Sequence, residues 1–159
     1  MKRSQPDDQR REKIKRFKLN DSYRENNDQL ISLGFNQKQS DRMIFRRSSN
    51  NTIQAVKKHT TKLLGLSYTH EQITNMASHN GGSKNLASVT NNHQALKNLG
   101  FNAEQIVKMV SSIGGSKNLA SVINNHQALK SLGFNAEQIV KMVSYGGGSK
   151  NLESVINNH

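Results

Sequence analysis

Residues 101–111 read FNAEQIVKMVS, and the same letters return at residues 134–144, 33 positions further on. A run that recurs at a fixed interval marks a repeat architecture, in which each unit buries its apolar face against its neighbours. One interval earlier, residues 68–78 read YTHEQITNMAS, and before them residues 35–45 read FNQKQSDRMIF, degenerate but in register. The rest of that degenerate unit keeps the frame, because Ile53, Val56 and Leu63 stand 33 residues before Leu86, Val89 and Leu96. Leu30, Leu33 and Gly34 anticipate Leu63, Leu66 and the gap before Tyr68, so residues 2–34 are a candidate for a further cryptic unit. The chain therefore divides into an N-terminal basic arm with that candidate unit (1–34), a degenerate basic repeat (35–67), two full repeats (68–100 and 101–133) and a truncated third (134–159).

Each unit reads as two helices, which makes the expected fold class all-α. In the first helix, Thr69 with Gln72, Asn102 with Gln105 and Asn135 with Gln138 have the spacing of a capping box, where cap and third residue satisfy each other's backbone N–H. Ile106, Val107, Met109 and Val110 then form an apolar stripe about two turns long. The Gly-Gly pairs 81/82, 114/115 and 147/148 turn the chain, and Leu119, Val122, Ile123, Leu129 and Leu132 give the second, longer helix its face. Gly133 sits where a left-handed residue closes that helix.

Composition agrees with stacked units better than with one compact core. Only 33% of the 159 residues are hydrophobic and there is no Trp. A net charge of +12 favours an anionic partner, nucleic acid ahead of an anionic membrane surface. The absence of Cys excludes a disulfide framework and thiolate-bound zinc. The opening residues Met1 to Asp8 lack the apolar segment of a secretory signal, and no apolar run approaches the roughly 18 residues of a membrane span. No membrane role, cofactor or small-molecule substrate is expected.

Variation within the repeats is concentrated. The two residues before each Gly-Gly pair, His79-Asn80, Ser112-Ile113 and Tyr145-Gly146, differ from unit to unit while their surroundings barely change. Either an exposed loop has drifted or the tip between the helices carries a readable difference. Beside it, Gly-Gly-Ser-Lys recurs with Gly81, Gly82 and Lys84, with Gly114, Gly115 and Lys117, and with Gly147, Gly148 and Lys150. Glycines allow close backbone approach, a helix start presents free N–H groups, and each lysine adds a charge per unit, which together suit a track of phosphates. A flexible turn with a solvated lysine is the plainer reading. The order Gly-Lys-Ser/Thr of a nucleotide-binding P-loop is missing.

The unit length, the variable pair ahead of Gly-Gly and the Leu-x-x-Val of the second helix resemble the DNA-binding repeats of transcription activator-like effectors, and more closely the short TALE-like proteins of other host-associated bacteria. The resemblance covers residues 35–159. It implies a right-handed superhelical solenoid of two-helix repeats that follows the major groove of double-stranded DNA, one base per unit. It also implies that Asn80, Ile113 and Gly146 face bases while His79, Ser112 and Tyr145 brace the loops. Asn80 can donate to a purine N7, Ile113 offers apolar contact, and Gly146 leaves room for a thymine methyl. By analogy with the family, the resemblance implies the triplet 5′-(G/A)-A-T. The proline usual in the family's second helix is absent, with Gln94 and Gln127 in that region.

Residues 35–67 carry seven basic side chains (Lys38, Arg42, Arg46, Arg47, Lys57, Lys58, Lys62) against one acid, Asp41, so half of the +12 lies in the most eroded unit. In the resembled family such degenerate repeats supply sequence-independent affinity, and Arg46-Arg47 occupies the tip here. For Arg47 the alternatives are guanine O6/N7 and phosphate; phosphate contact is the favoured role for both arginines, since phosphate contacts outnumber base contacts. Residues 9–18, QRREKIKRFK, add a basic arm that reads as a nuclear localisation signal, a phosphate arm or a solvated cap.

The rivals are a protein-binding solenoid and a helical-repeat RNA binder. The Thr-Pro-Leu-His signature of ankyrin repeats is missing, and Pro6 is the sole proline. An enzyme is not expected: His93, His126 and His159 recur only with the repeat, and Glu71, Glu104 and Glu137 are single first-turn acids suited to the helix dipole. The implied location is a host nucleus for a translocated effector and the bacterial cytoplasm otherwise, with a monomer as the default state.

Overall fold

A computed structural model describes residues 20–45 and 50–158. Among the described residues all regular structure is helical: α1 (residues 20–32), α2 (Gln37–Phe45), α3 (Asn50–Gly65), α4 (His70–Ser78), α5 (Gly82–Asn98), α6 (Ala103–Val110), α7 (Ser116–Ser131), α8 (Ala136–Ser144) and α9 (Ser149–Asn157). Short helices alternate with longer ones from α2 to α7. Each short helix packs on the next short one, α2 on α4, α4 on α6 and α6 on α8, and the longer row is built likewise from α3, α5, α7 and α9. None of these helices is long and apolar enough to cross a membrane.

The starts of the short helices follow from their caps. Thr69, Asn102 and Asn135 each accept from the backbone N–H three residues on, and the Gln side chain there accepts from the cap N–H in return. A fourth box lies in the degenerate unit, where Asn36 Oδ1 accepts from Gln39 N at 2.9 Å and Gln39 Oε1 from Asn36 N at 3.0 Å.

The ends of the long helices follow from one turn motif. Phe35, Tyr68, Phe101 and Phe134 each donate a backbone hydrogen bond to the carbonyl five residues back, at Leu30, Leu63, Leu96 and Leu129. The residue before each aromatic has positive φ: Gly34, Ser67, Gly100 and Gly133. Such an arrangement satisfies helix-end carbonyls that would otherwise lack partners. Since α1 closes in the same way as α3, α5 and α7, the described part of the N-terminal region shares their C-terminal half-pattern.

The core is a set of rows, one member per unit. Leu30, Leu63, Leu96 and Leu129 are fully buried, as are Met43, Met76 and Met109 in the short helices and Val56, Val89 and Val122 in the long ones. Burying a side chain of this size contributes about 1.5–3 kcal/mol. The thin hydrophobic composition is therefore concentrated in rows that pack helices within a unit and between neighbouring units.

Candidate nucleic-acid interface

The tips lie between the end of each short helix and the start of the following long one. Asn80 and Gly146 are exposed, and Ile113 is 76% exposed despite being apolar. A Cβ added at Gly146 would meet nothing within 4 Å, so that tip is open space.

The first residues of the pairs divide into two behaviours. His79 Nδ1 lies 2.6 Å from the carbonyl of Asn75, and Ser112 Oγ donates to the carbonyl of Lys108 at 2.6 Å. Both side chains thus fold back on the last turn of their own short helix. Tyr145 is instead 64% exposed, with the Lys108 ammonium 5.6 Å from its ring centroid. Only its backbone N–H reaches back, to Lys141.

An open groove of about 590 Å³ joins two consecutive tips, and His79, Asn80, Lys84, Ser112, Ile113 and Lys117 are among its walls. Lys84, Lys117 and Lys150 are exposed in the first turns of α5, α7 and α9. The ion pairs among the described residues, Arg42 with Glu71 and Glu137 with Lys141, do not include these lysines. Among the described residues no cluster of His, Asp and Glu could hold a metal ion. Arg46 and Arg47, and the basic arm at 9–18, lie outside the described residues.

The loops rest on a residue that the sequence reading passed over. Asn85, in the first turn of α5, is 1% exposed, and its Nδ2 donates to the carbonyls of Met76 and Asn80, both at 3.2 Å. Its Oδ1 accepts from the backbone N–H of Ser116 in the next unit at 3.0 Å. Asn118 is fully buried, and its Nδ2 donates to Met109 O and Ile113 O, and to Val143 O of the next unit at 3.1 Å. Asn151 repeats the intra-unit part through the carbonyls of Met142 and Tyr145. Each asparagine therefore clips its own tip, and the first two also reach the following unit.

Neither a protein-family model nor a curated protein matches the chain. The site must be read from its own chemistry.

The electrostatics of the degenerate unit differ from a simple count of its charges. The guanidinium of Arg42 bonds the carboxylate of Glu71 and also Asn75 Oδ1 at 2.6 Å, tying α2 to α4. Arg42 first, and then the Gln39 amide, hold the Glu71 carboxyl below its ordinary value. Arg42 is thus committed inside the protein, while Lys38, Lys58 and Lys62 remain exposed. On α3, burial and then the neighbouring charges of Lys58 and Lys62 lower the His59 pKa, so the imidazole adds no charge at neutral pH.

A signal for the asparagines was present in the sequence. A polar residue recurs just ahead of the buried Leu86, Leu119 and Leu152, and the degenerate unit carries Thr52 in its place. An amide at that position is suited to loop carbonyls that have no partner in a helix.

Proposed function

We infer that this protein is a right-handed superhelical solenoid of two-helix repeats that binds double-stranded DNA along the major groove, with phosphate contacts supplying most of the affinity and the tips a weak base preference. The observation that carries the reading is the groove across two consecutive tips, where the exposed Asn80 and Ile113 share walls with Lys84 and Lys117. Groups that vary and groups that carry charge meet on one surface at the repeat interval. That combination suits a ligand with variable edges on a uniformly anionic backbone.

On this reading Asn80, Ile113 and Gly146 approach consecutive bases, giving a preference near 5′-(G/A)-A-T. His79 and Ser112 hold their loops by the bonds to Asn75 and Lys108. Three tips specify little, because a triplet recurs on the order of once in 32 base pairs when both strands count. The protein is then a modulator of transcription through low-specificity binding, in a host nucleus or a bacterial cytoplasm.

Gel-shift titrations at fixed salt, with duplexes that differ only in the triplet, test the reading. A preference of a few fold for the stated triplet is the expected result, and equal affinities remove base reading from the proposal. Competition by RNA at least as strong as by duplex DNA would transfer the groove to an RNA ligand.

A further inference from the structure

The three tips do not share one loop conformation. Ahead of α5 the second glycine, Gly82, is the first residue of the helix, and its cap Gly81 has φ 77° and ψ 23°. Ahead of α7 and α9 the second glycine stands outside the helix, with φ 53° and ψ −129° at Gly115 and φ 54° and ψ −128° at Gly148. These φ/ψ values belong to a region that only glycine enters readily.

The variable pairs do not account for this division. Ser112-Ile113 and Tyr145-Gly146 have no residue in common, yet the second glycine takes the same conformation in both. The loops differ elsewhere: α6 ends at Val110 and α8 at Ser144, and the Gly115 N–H donates to Ser112 O but the Gly148 N–H to Gly146 O. What those loops share, and the first lacks, is an asparagine in the preceding unit. Asn85 Oδ1 lies 2.7 Å from where a Cβ on Gly115 would sit and accepts from Ser116 N. Asn118 Oδ1 lies 2.9 Å from the same point on Gly148, and its Nδ2 bonds Val143 O. Before the first tip that place is held by Thr52, whose methyl lies 2.9 Å from the corresponding point on Gly82.

We propose that the residue at this position in one unit, Thr52, Asn85 or Asn118, sets the conformation of the second glycine in the tip of the next unit. Asn85 draws the following helix start onto its oxygen, whereas Asn118 Oδ1 has no hydrogen-bond partner and that amide reaches the next unit through Nδ2 to Val143 O. In both cases the amide oxygen sits against the second glycine, which stands outside the helix. A threonine methyl offers no such acceptor and leaves that glycine helical. Asn85 and Asn118 are positioning residues that act on a neighbour's tip, and the tips are coupled in one direction along the chain. A consequence for base choice at Ile113 rests on the proposed DNA reading; the loop conformation itself does not.

The test is made on the full chain free of DNA, by NMR of Asn85→Thr. The Ser116 N–H belongs to a first helical turn and has no intrahelical acceptor, so its exchange protection reports the bond to Asn85. Roughly tenfold faster exchange of Ser116 is expected, with Gly115 shifts moving toward those of Gly82 and with Gly148 unchanged. Unchanged Gly115 and Ser116 would overturn the proposal. The variant leaves Val110, in the responding tip's own unit, untouched, so a response at Gly115 is traced to the preceding unit. The reverse change, Thr52→Asn, should move Gly82 toward Gly115 and protect Ser83; it decides the matter alone if Asn85→Thr fails to fold, and no response there overturns the proposal. Duplexes varied at one base then give the second readout, a shifted preference opposite Ile113. If the loop responds while neither protein shows any base preference, tip setting stands and base reading falls. If a wild-type preference opposite Ile113 exists and does not move, the coupling ends at the loop.

Discussion

The phenol oxygen of Tyr68, at the head of one unit, lies 2.9 Å from Nδ1 of His93, near the end of the same unit's long helix, and the two rings meet edge to face. Both residues are buried. Burial raises the Tyr68 pKa well above its ordinary value, and burial together with Lys97 lowers that of His93, so both groups are neutral at pH 7. Replacing Tyr68 by Phe, the residue at positions 35, 101 and 134, leaves the imidazole nitrogen without its partner. A loss of about 1–3 kcal/mol in urea unfolding is expected.

The same pair gives a pH dependence whose sign is set by the histidine. A lowered folded pKa means that the unfolded chain binds more protons below the ordinary value of 6.5. Stability is therefore highest above that value and falls as pH drops beneath it. His59 is lowered too and contributes in the same direction. Thermal melts between pH 7.5 and 5 should show the fall, reduced in His93→Gln. A flat profile in the wild-type chain would count against both assignments.

Ser67 is the one non-glycine with positive φ among the described residues, at 69°, in a turn where the other units place Gly34, Gly100 and Gly133. A left-handed conformation costs an L-residue roughly 1–2 kcal/mol, offset in part by the greater freedom that glycine loses on folding. Ser67→Gly should thus stabilise the chain by about 0.5–1 kcal/mol in equilibrium unfolding. A destabilised variant would mean that the serine side chain contributes more than the strain removes.

The ion pair of Arg42 with Glu71 is partly exposed, with side-chain accessibilities of 28% and 54%. Solvent screening limits such a pair to about 1 kcal/mol or less. Because the Glu71 carboxyl is held below its ordinary value of 4.5, its contribution is present above that pH and is lost as pH falls through the lowered value. The stability difference between wild type and Glu71→Gln should accordingly vanish in acid. A difference that persists at pH 3 would assign the effect to packing.

How much of this was legible in the sequence differs by level. The helices and their starts could be read because capping boxes and apolar spacing are local: Thr69, Asn102 and Asn135 cap as their spacing requires. Asn36 was missed since its unit is eroded elsewhere, although its box to Gln39 stands at the same interval. The recurrence of Asn85, Asn118 and Asn151 was legible, but the partners of these amides were not. Asn85 looks like an ordinary helix-start residue until the fold brings Ser116, 31 residues away, onto its oxygen. Arg42 likewise counts as surface charge until α2 packs on α4 and Glu71 claims it. Periodicity identifies what repeats, whereas contacts between units depend on how the units stack.

The lysines beside the tips give the proposed function its most quantitative consequence. Lys84, Lys117 and Lys150 stand exposed, one per unit, outside the ion pairs described above. If roughly four to six phosphates are neutralised in the complex, the logarithm of the association constant should fall with that of salt with a slope of about −4 to −5. Each Lys→Ala change then removes about 0.9 from the slope and weakens all duplexes equally, leaving the triplet preference in place. Arg42→Ala, its charge already committed to Glu71, should leave the slope unchanged. Ile113→Asn should do the reverse of the lysine variants, altering base preference at one position by about 1–3 kcal/mol at constant slope. The measurement is a fluorescence anisotropy titration from 50 to 200 mM salt for each variant. A slope indifferent to all three lysines would detach the Gly-Gly-Ser-Lys edge from phosphate binding, and a slope that drops in Arg42→Ala would place the anionic ligand on the degenerate unit's ion pair instead.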